Sequence, residues 1–91
     1  MVSIELTPTL AHCIETTARQ EFSKTTNEYM QRGGEDEELE EKIELLRAFL
    51  ELTDFKELRR GSEKHLIEGK TVRFILYLED GKPKYEMKVG K

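Results

Sequence analysis

The sequence predicts an α+β fold: two or three helices packed on a small antiparallel sheet, built from a C-terminal β-hairpin and joined by an N-terminal third strand. Three observations carry that expectation. Thr71 to Leu78 (TVRFILYL) is rich in β-formers and is followed, across Asp80-Gly81, by the alternating segment Tyr85 to Val89. Residues 39–52 place seven apolar side chains on helical spacing, and Val2, Ile4 and Leu6 alternate with polar neighbours.

The N-terminal alternation reads as a short strand with one buried face. Thr7-Pro8 then signals a helix start, with Thr7 as N-cap and Pro8 at the first helical position. That first helix is expected from about Pro8 to Gln31, with Leu10, Ile14, Ala18, Phe22 and Tyr29 inward. Thr16, Thr17, Thr25 and Thr26 weaken its intrinsic propensity, and Gly33-Gly34 ends it. A second helix is expected from about Glu35 to Leu52. Its acidic start, Glu35 to Glu38, complements the positive end of the helix dipole. Leu39, Ile43, Leu46 and Leu50 form one row, and Leu45, Phe49 and Leu52 the next. Together they cover about half the circumference, the width of a central helix with two neighbours. Thr53-Asp54 can cap a third helix with Phe55 and Leu58 inward. Gly61 is expected to interrupt it, with Ser62 capping a further short turn that Gly69 stops.

Asp80-Gly81 is the preferred pair for a two-residue type I′ turn. That turn sets the strand register, pairing Leu76 with Tyr85, Phe74 with Met87 and Val72 with Val89 on one face. The other face pairs Glu79 with Lys82, Tyr77 with Lys84, Ile75 with Glu86 and Arg73 with Lys88. Turn chemistry and side-chain pattern agree on this register. Pro83 falls at a non-hydrogen-bonded pair opposite Leu78, so its missing N–H costs the hairpin nothing. It also protects that edge near the turn, so the N-terminal strand should prefer the Thr71–Leu78 side. The second helix is the expected cover for Val72, Phe74, Leu76 and Leu78.

Composition bounds the function. The chain has 91 residues, which argues for a single domain over 1–91 with a thin stability margin. Cys13 is the only cysteine, so no disulfide can form within the chain. A reducing compartment fits, and cytoplasm is the default expectation. No apolar run approaches the ~20 residues of a membrane helix, and the N-terminus lacks a signal-peptide pattern. Charged residues make up 37 % of the sequence and the net charge is -4. Residues 1–53 hold 12 acids and 5 bases, a net of -7, whereas residues 54–91 hold 7 acids and 10 bases, a net of +3. Such polarity can guide self-association or partner choice.

Chemistry-bearing motifs are sparse. His12 and Cys13 are adjacent, and neighbours on a helix point about 100° apart, so they cannot grip one metal together. A Cys–His nucleophile would need His65 brought close. The acidic run EDEELEE (residues 35–41) lacks the alternate-position ligands and turn glycine of a calcium loop. No nucleophile, base and orienting partner can be named together, so neither enzyme activity nor a cofactor is expected.

Two surfaces remain. On the outer face of the hairpin, Arg73, Ile75, Tyr77, Lys84 and Lys88 mix basic, aromatic and aliphatic character. Arg73 opposite Lys88 sets like charges side by side, which destabilises unless an anion approaches. An Ile/Tyr patch on a small sheet suits contact with another protein or a second copy, giving a non-catalytic interaction module that homodimerises. The second surface is the basic cluster Lys56, Arg59, Arg60 and Lys64, just before the hairpin. In its order of elements (helix, helix after a short turn, two-stranded wing) segment 36–89 resembles winged helix-turn-helix domains. The resemblance implies a DNA-binding regulator whose Asp54 helix enters the major groove while the Glu79–Pro83 turn touches phosphate. The chain departs from that pattern in its net negative charge, in Gly61, in Glu79-Asp80 at the wing tip and in the length of the second helix.

Overall fold

The computed structural model describes residues 2–8 and 13–90. The order of elements is β1 (Ile4–Leu6), α1 (Ile14–Gln31), α2 (Glu37–Leu52), α3 (Phe55–Ile67), β2 (Thr71–Glu79) and β3 (Lys82–Gly90). The strands form one antiparallel sheet in the order β1-β2-β3, so the α+β fold with a C-terminal hairpin is the observed one. Every expected hairpin pair is present, from Glu79 opposite Lys82 to Val72 opposite Val89. Asp80 and Gly81 both have positive φ, 53° and 76°, as a type I′ turn requires. β1 joins on the β2 side, with Ile4 opposite Leu76 and Leu6 opposite Phe74.

Helix α2 packs against both α1 and the sheet, the two neighbours its wide apolar face anticipates. Leu45, Leu46 and Phe49 from α2, Ile14 and Ala18 from α1, and Ile4, Leu6, Val72, Phe74 and Leu76 from the sheet form one core. Asp36 caps α2: its carboxylate accepts from the Leu39 N–H at 3.2 Å and from Arg32 Nη1 at 2.8 Å. These donors, the Leu39 N–H first and Arg32 second, hold the Asp36 carboxyl below its ordinary range. Asp54 caps α3 in the same way, accepting from the N–H groups of Lys56 and Glu57.

Three sequence expectations fail, each for a physical reason. Helix α1 starts at Ile14, with Cys13 in the N-cap position, and Thr7-Pro8 does not begin it. Ile4, Leu6 and Pro8 are all buried, so the inward alternation of β1 continues two residues past the strand and uses the proline ring as apolar surface. Leu10 and His12 lie outside the described residues.

The second failure is the break at Gly61, because α3 runs unbroken from Phe55 to Ile67. A helical glycine costs only about 1 kcal/mol, less than the helix gains by docking Phe55, Leu58 and Leu66 on the core. Ser62 is therefore not an N-cap. It is fully buried mid-helix, its hydroxyl donating to the carbonyls of Leu58 at 3.0 Å and Arg59 at 3.2 Å. A Cβ at Gly61 would meet nothing within 4 Å. Gly61→Ala should thus raise stability by about 0.5–1 kcal/mol, read as a higher urea midpoint at unchanged slope.

The third concerns the cover. Leu52, expected in the inward stripe, is 78 % exposed, because Phe49 is the last α2 position buried in the core. β3 is exposed along its whole length, although four of its side chains, Pro83, Tyr85, Met87 and Val89, lie on the helix-facing side of the sheet.

Candidate functional site

The outer sheet face carries the residues singled out from sequence. Arg73, Lys84 and Lys88 are exposed there, and Ile75 and Tyr77 are half-buried. The like charges of Arg73 and Lys88 do sit opposite each other. The anion that relieves them comes from within the chain. Glu5 on β1 places Oε1 3.1 Å from Arg73 Nη1, and Lys84 Nζ lies 3.8 Å from Glu79 Oε2. Part of this basic face is therefore neutralised, although exposed ion pairs of this kind add little stability.

The basic cluster is displayed on α3. Lys56, Arg59, Arg60 and Lys64 are all exposed, while Phe55, Leu58 and Leu66 hold the opposite side of the helix on the core. Exposed Glu57 and Glu63 interleave with them, and Glu57 Oε1 approaches Arg60 Nη1 at 3.7 Å. The surface is thus mixed in sign. The acidic run at 35–41 forms the cap and first turn of α2, where its charges suit the dipole. Cys13 is a half-buried free thiol.

Sequence reasoning placed β3 at the sheet edge but missed the exposure of its helix-facing side chains. Tyr85, Met87 and Val89 are 44 %, 39 % and 41 % exposed, yet they stand on the same side as buried Leu76, Phe74 and Val72. Tyr85 touches the core only in part: its ring packs edge-on against Phe49, centroids 5.5 Å apart. Beyond it, toward the turn, a groove of about 350 Å³ opens between α2 and the hairpin, lined by Phe49, Leu52, Leu76, Pro83 and Tyr85 among others. Among the described residues, no strand pairs with the outer backbone of this edge. The two-residue turn makes Glu79 and Lys82 a hydrogen-bonded pair, and the pairs alternate from there. Pro83, Tyr85, Met87 and Val89 fall at non-hydrogen-bonded positions, so their main-chain groups point away from β2. Pro83 offers no N–H, but the other three offer both donor and acceptor.

A signal for this edge does exist in the sequence. Three strands about 4.8 Å apart make a sheet wider than one helix of about 10 Å covers. The three helices share that cover, and α2 meets β3 only in part, so the side chains of this outer strand stay partly exposed. The alternation of charge and apolar residues in Lys82–Gly90 (KPKYEMKVG) marks it as that strand.

A protein-family model matches residues 1–88. The chain belongs to that family. It is also similar to an uncharacterized protein of Archaeoglobus fulgidus, at 43 % identity over 67 residues, 67 % of this chain and 79 % of the relative. No solved structure matches the chain. Among the described residues, no helix is long and apolar enough to cross a membrane.

Proposed function

We propose that this family member is a non-catalytic protein-interaction module that self-associates, and that the free edge of β3 is the surface it uses. The observation carrying this reading is the coincidence, on one strand, of unpaired main-chain groups with the apolar row Tyr85, Met87 and Val89. Edge strands are normally blunted by charge, proline or cover, because they template pairing with another chain. Here Pro83 blunts the end near the turn and Lys84, Glu86 and Lys88 charge the outer face, but the helix-facing row is left apolar. The apolar row supports strand addition, in which main-chain bonds give affinity and alternate side chains give specificity. The outer face, with Arg73, Ile75, Tyr77, Lys84 and Lys88, would then extend across the junction as a second layer of contact.

Met87→Pro tests this directly. The Met87 N–H points away from β2, so proline there removes no hairpin hydrogen bond, and edge strands tolerate proline. Sedimentation velocity should show a concentration-dependent dimer for the parent chain and monomer for the variant, with matching circular dichroism. A parent chain that stays monomeric at several hundred micromolar overturns the reading.

The second reading, a winged-helix-type DNA-binding regulator, is favoured by one observation: the four basic side chains of α3 are exposed. Duplex DNA added to the same runs distinguishes it. Co-sedimentation that fades steeply with salt and is lost in Arg59→Ala/Arg60→Ala supports it, and binding indifferent to those changes removes it.

A further inference from the structure

Resting on the reading of β3 as a self-association edge, we infer that its partner strand is β3 of a second copy, antiparallel about a two-fold axis through Met87, joining two three-stranded sheets into one. The register follows from side chains on both faces. Outward main-chain groups belong to Tyr85, Met87 and Val89, so these residues must form the hydrogen-bonded pairs of any new ladder. With Met87 opposite Met87 of the second copy, Tyr85 faces Val89 and Val89 faces Tyr85, so every helix-side pair is apolar on apolar. The same register sets Glu86 opposite Lys88, twice, on the outer face. It supplies about six main-chain hydrogen bonds, two at each of the three pairs, and leaves Pro83 outside them.

Neighbouring registers fail on the same residues. An axis through Glu86 sets Glu86 against Glu86 and Lys84 against Lys88, and it brings Pro83 opposite Val89 where a donor is needed. An axis through Tyr85 sets Lys88 against Lys82 and Met87 against Pro83. An axis through Lys88 sets that lysine against itself. Like charges directly opposite destabilise and opposite charges stabilise, so a single register satisfies both faces. Two-fold pairing of this kind closes, because it consumes the β3 edge of both copies, and the opposite edge of the sheet is β1, only three residues long.

The test exchanges the charges between copies. Glu86→Lys alone sets lysine against Lys88 at both junction pairs, and Lys88→Glu alone sets glutamate against Glu86. Each variant should self-associate roughly tenfold more weakly than the parent. Mixed in equal amounts, the two variants complement each other at both pairs, and a heterodimer of parent-like affinity should form. Both side chains involved, Glu86 and Lys88, are exposed, and thermal melts of the variants check that the fold is kept. Two results overturn the register while leaving self-association standing: a parent dimer whose variants show no recovery on mixing, or a Lys88→Glu chain that dimerises more tightly. The second result would point to the axis through Glu86. A parent chain that never dimerises defeats the underlying reading instead.

Discussion

Phe74→Ala should cost about 3–5 kcal/mol of folding stability, a large fraction of what a chain of this length possesses. Phe74 is fully buried on β2, the central strand, and so has a strand on either side and helices above. Its ring lies 6.4 Å from that of Phe49 and 6.4 Å from that of Tyr85, centroid to centroid. Phe49 in turn meets Phe55 edge-on at 5.5 Å. Removing the ring opens a cavity against Phe49 and Tyr85, in the core that α2, α3 and the sheet share. Domains carry roughly 0.05–0.15 kcal/mol per residue, about 5–14 kcal/mol for a chain of this length, so the variant should lose from about a fifth to all of its stability. Urea titration reads the result as a collapsed midpoint with little change in slope. A loss under about 1 kcal/mol would show that the core is not centred on this ring.

The hairpin was legible in the sequence because two independent constraints converge on it. Asp80-Gly81 fixes the turn, and the apolar residues of β2 and β3 match only in the register the turn sets. Helix α2 was legible for a similar reason: its acidic start and its periodicity agree, although its Asp36 cap was not read. What could not be read was decided by tertiary packing. Nothing local distinguishes a glycine that breaks a helix from one that packing carries through, and Gly61 is the second kind. Thr7-Pro8 has good capping chemistry, but Pro8 is buried in continuation of the β1 alternation. The exposure of Tyr85, Met87 and Val89 was hidden because pairing partners can be read from a register, whereas cover depends on where the helices sit over the sheet. The relief of Arg73 by Glu5 was hidden too, since it needs β1 beside β2 and in register.

Leu6→Asp should give the other large effect, with a distinctive dependence on pH. β1 is only three residues long, but Leu6 is almost fully buried opposite Phe74. A carboxyl placed there has no polar partner among the core residues, so burial raises its folded-state pKa above the ordinary ~3.9, by up to about 3–5 units in comparable sites. Between those two pKa values the folded state holds a proton that the unfolded state has released. Stability therefore falls as pH rises, by about 1.4 kcal/mol per unit across that window, and levels off above the folded-state pKa. A shift of three units would remove about 4 kcal/mol by pH 7. The parent's own acid response has the opposite sign. Asp36 and Glu68 have lowered pKa values, so the stability they contribute is present above their unfolded values and is lost as pH falls. Denaturation curves of parent and variant between pH 4 and 8 should accordingly converge toward acid and diverge toward neutral. If the variant merely tracks the parent with a constant offset, the aspartate has escaped to water by releasing β1 from β2. The cost is then capped at the energy of undocking that strand, and the short strand would be an ornament on the hairpin rather than one wall of the core.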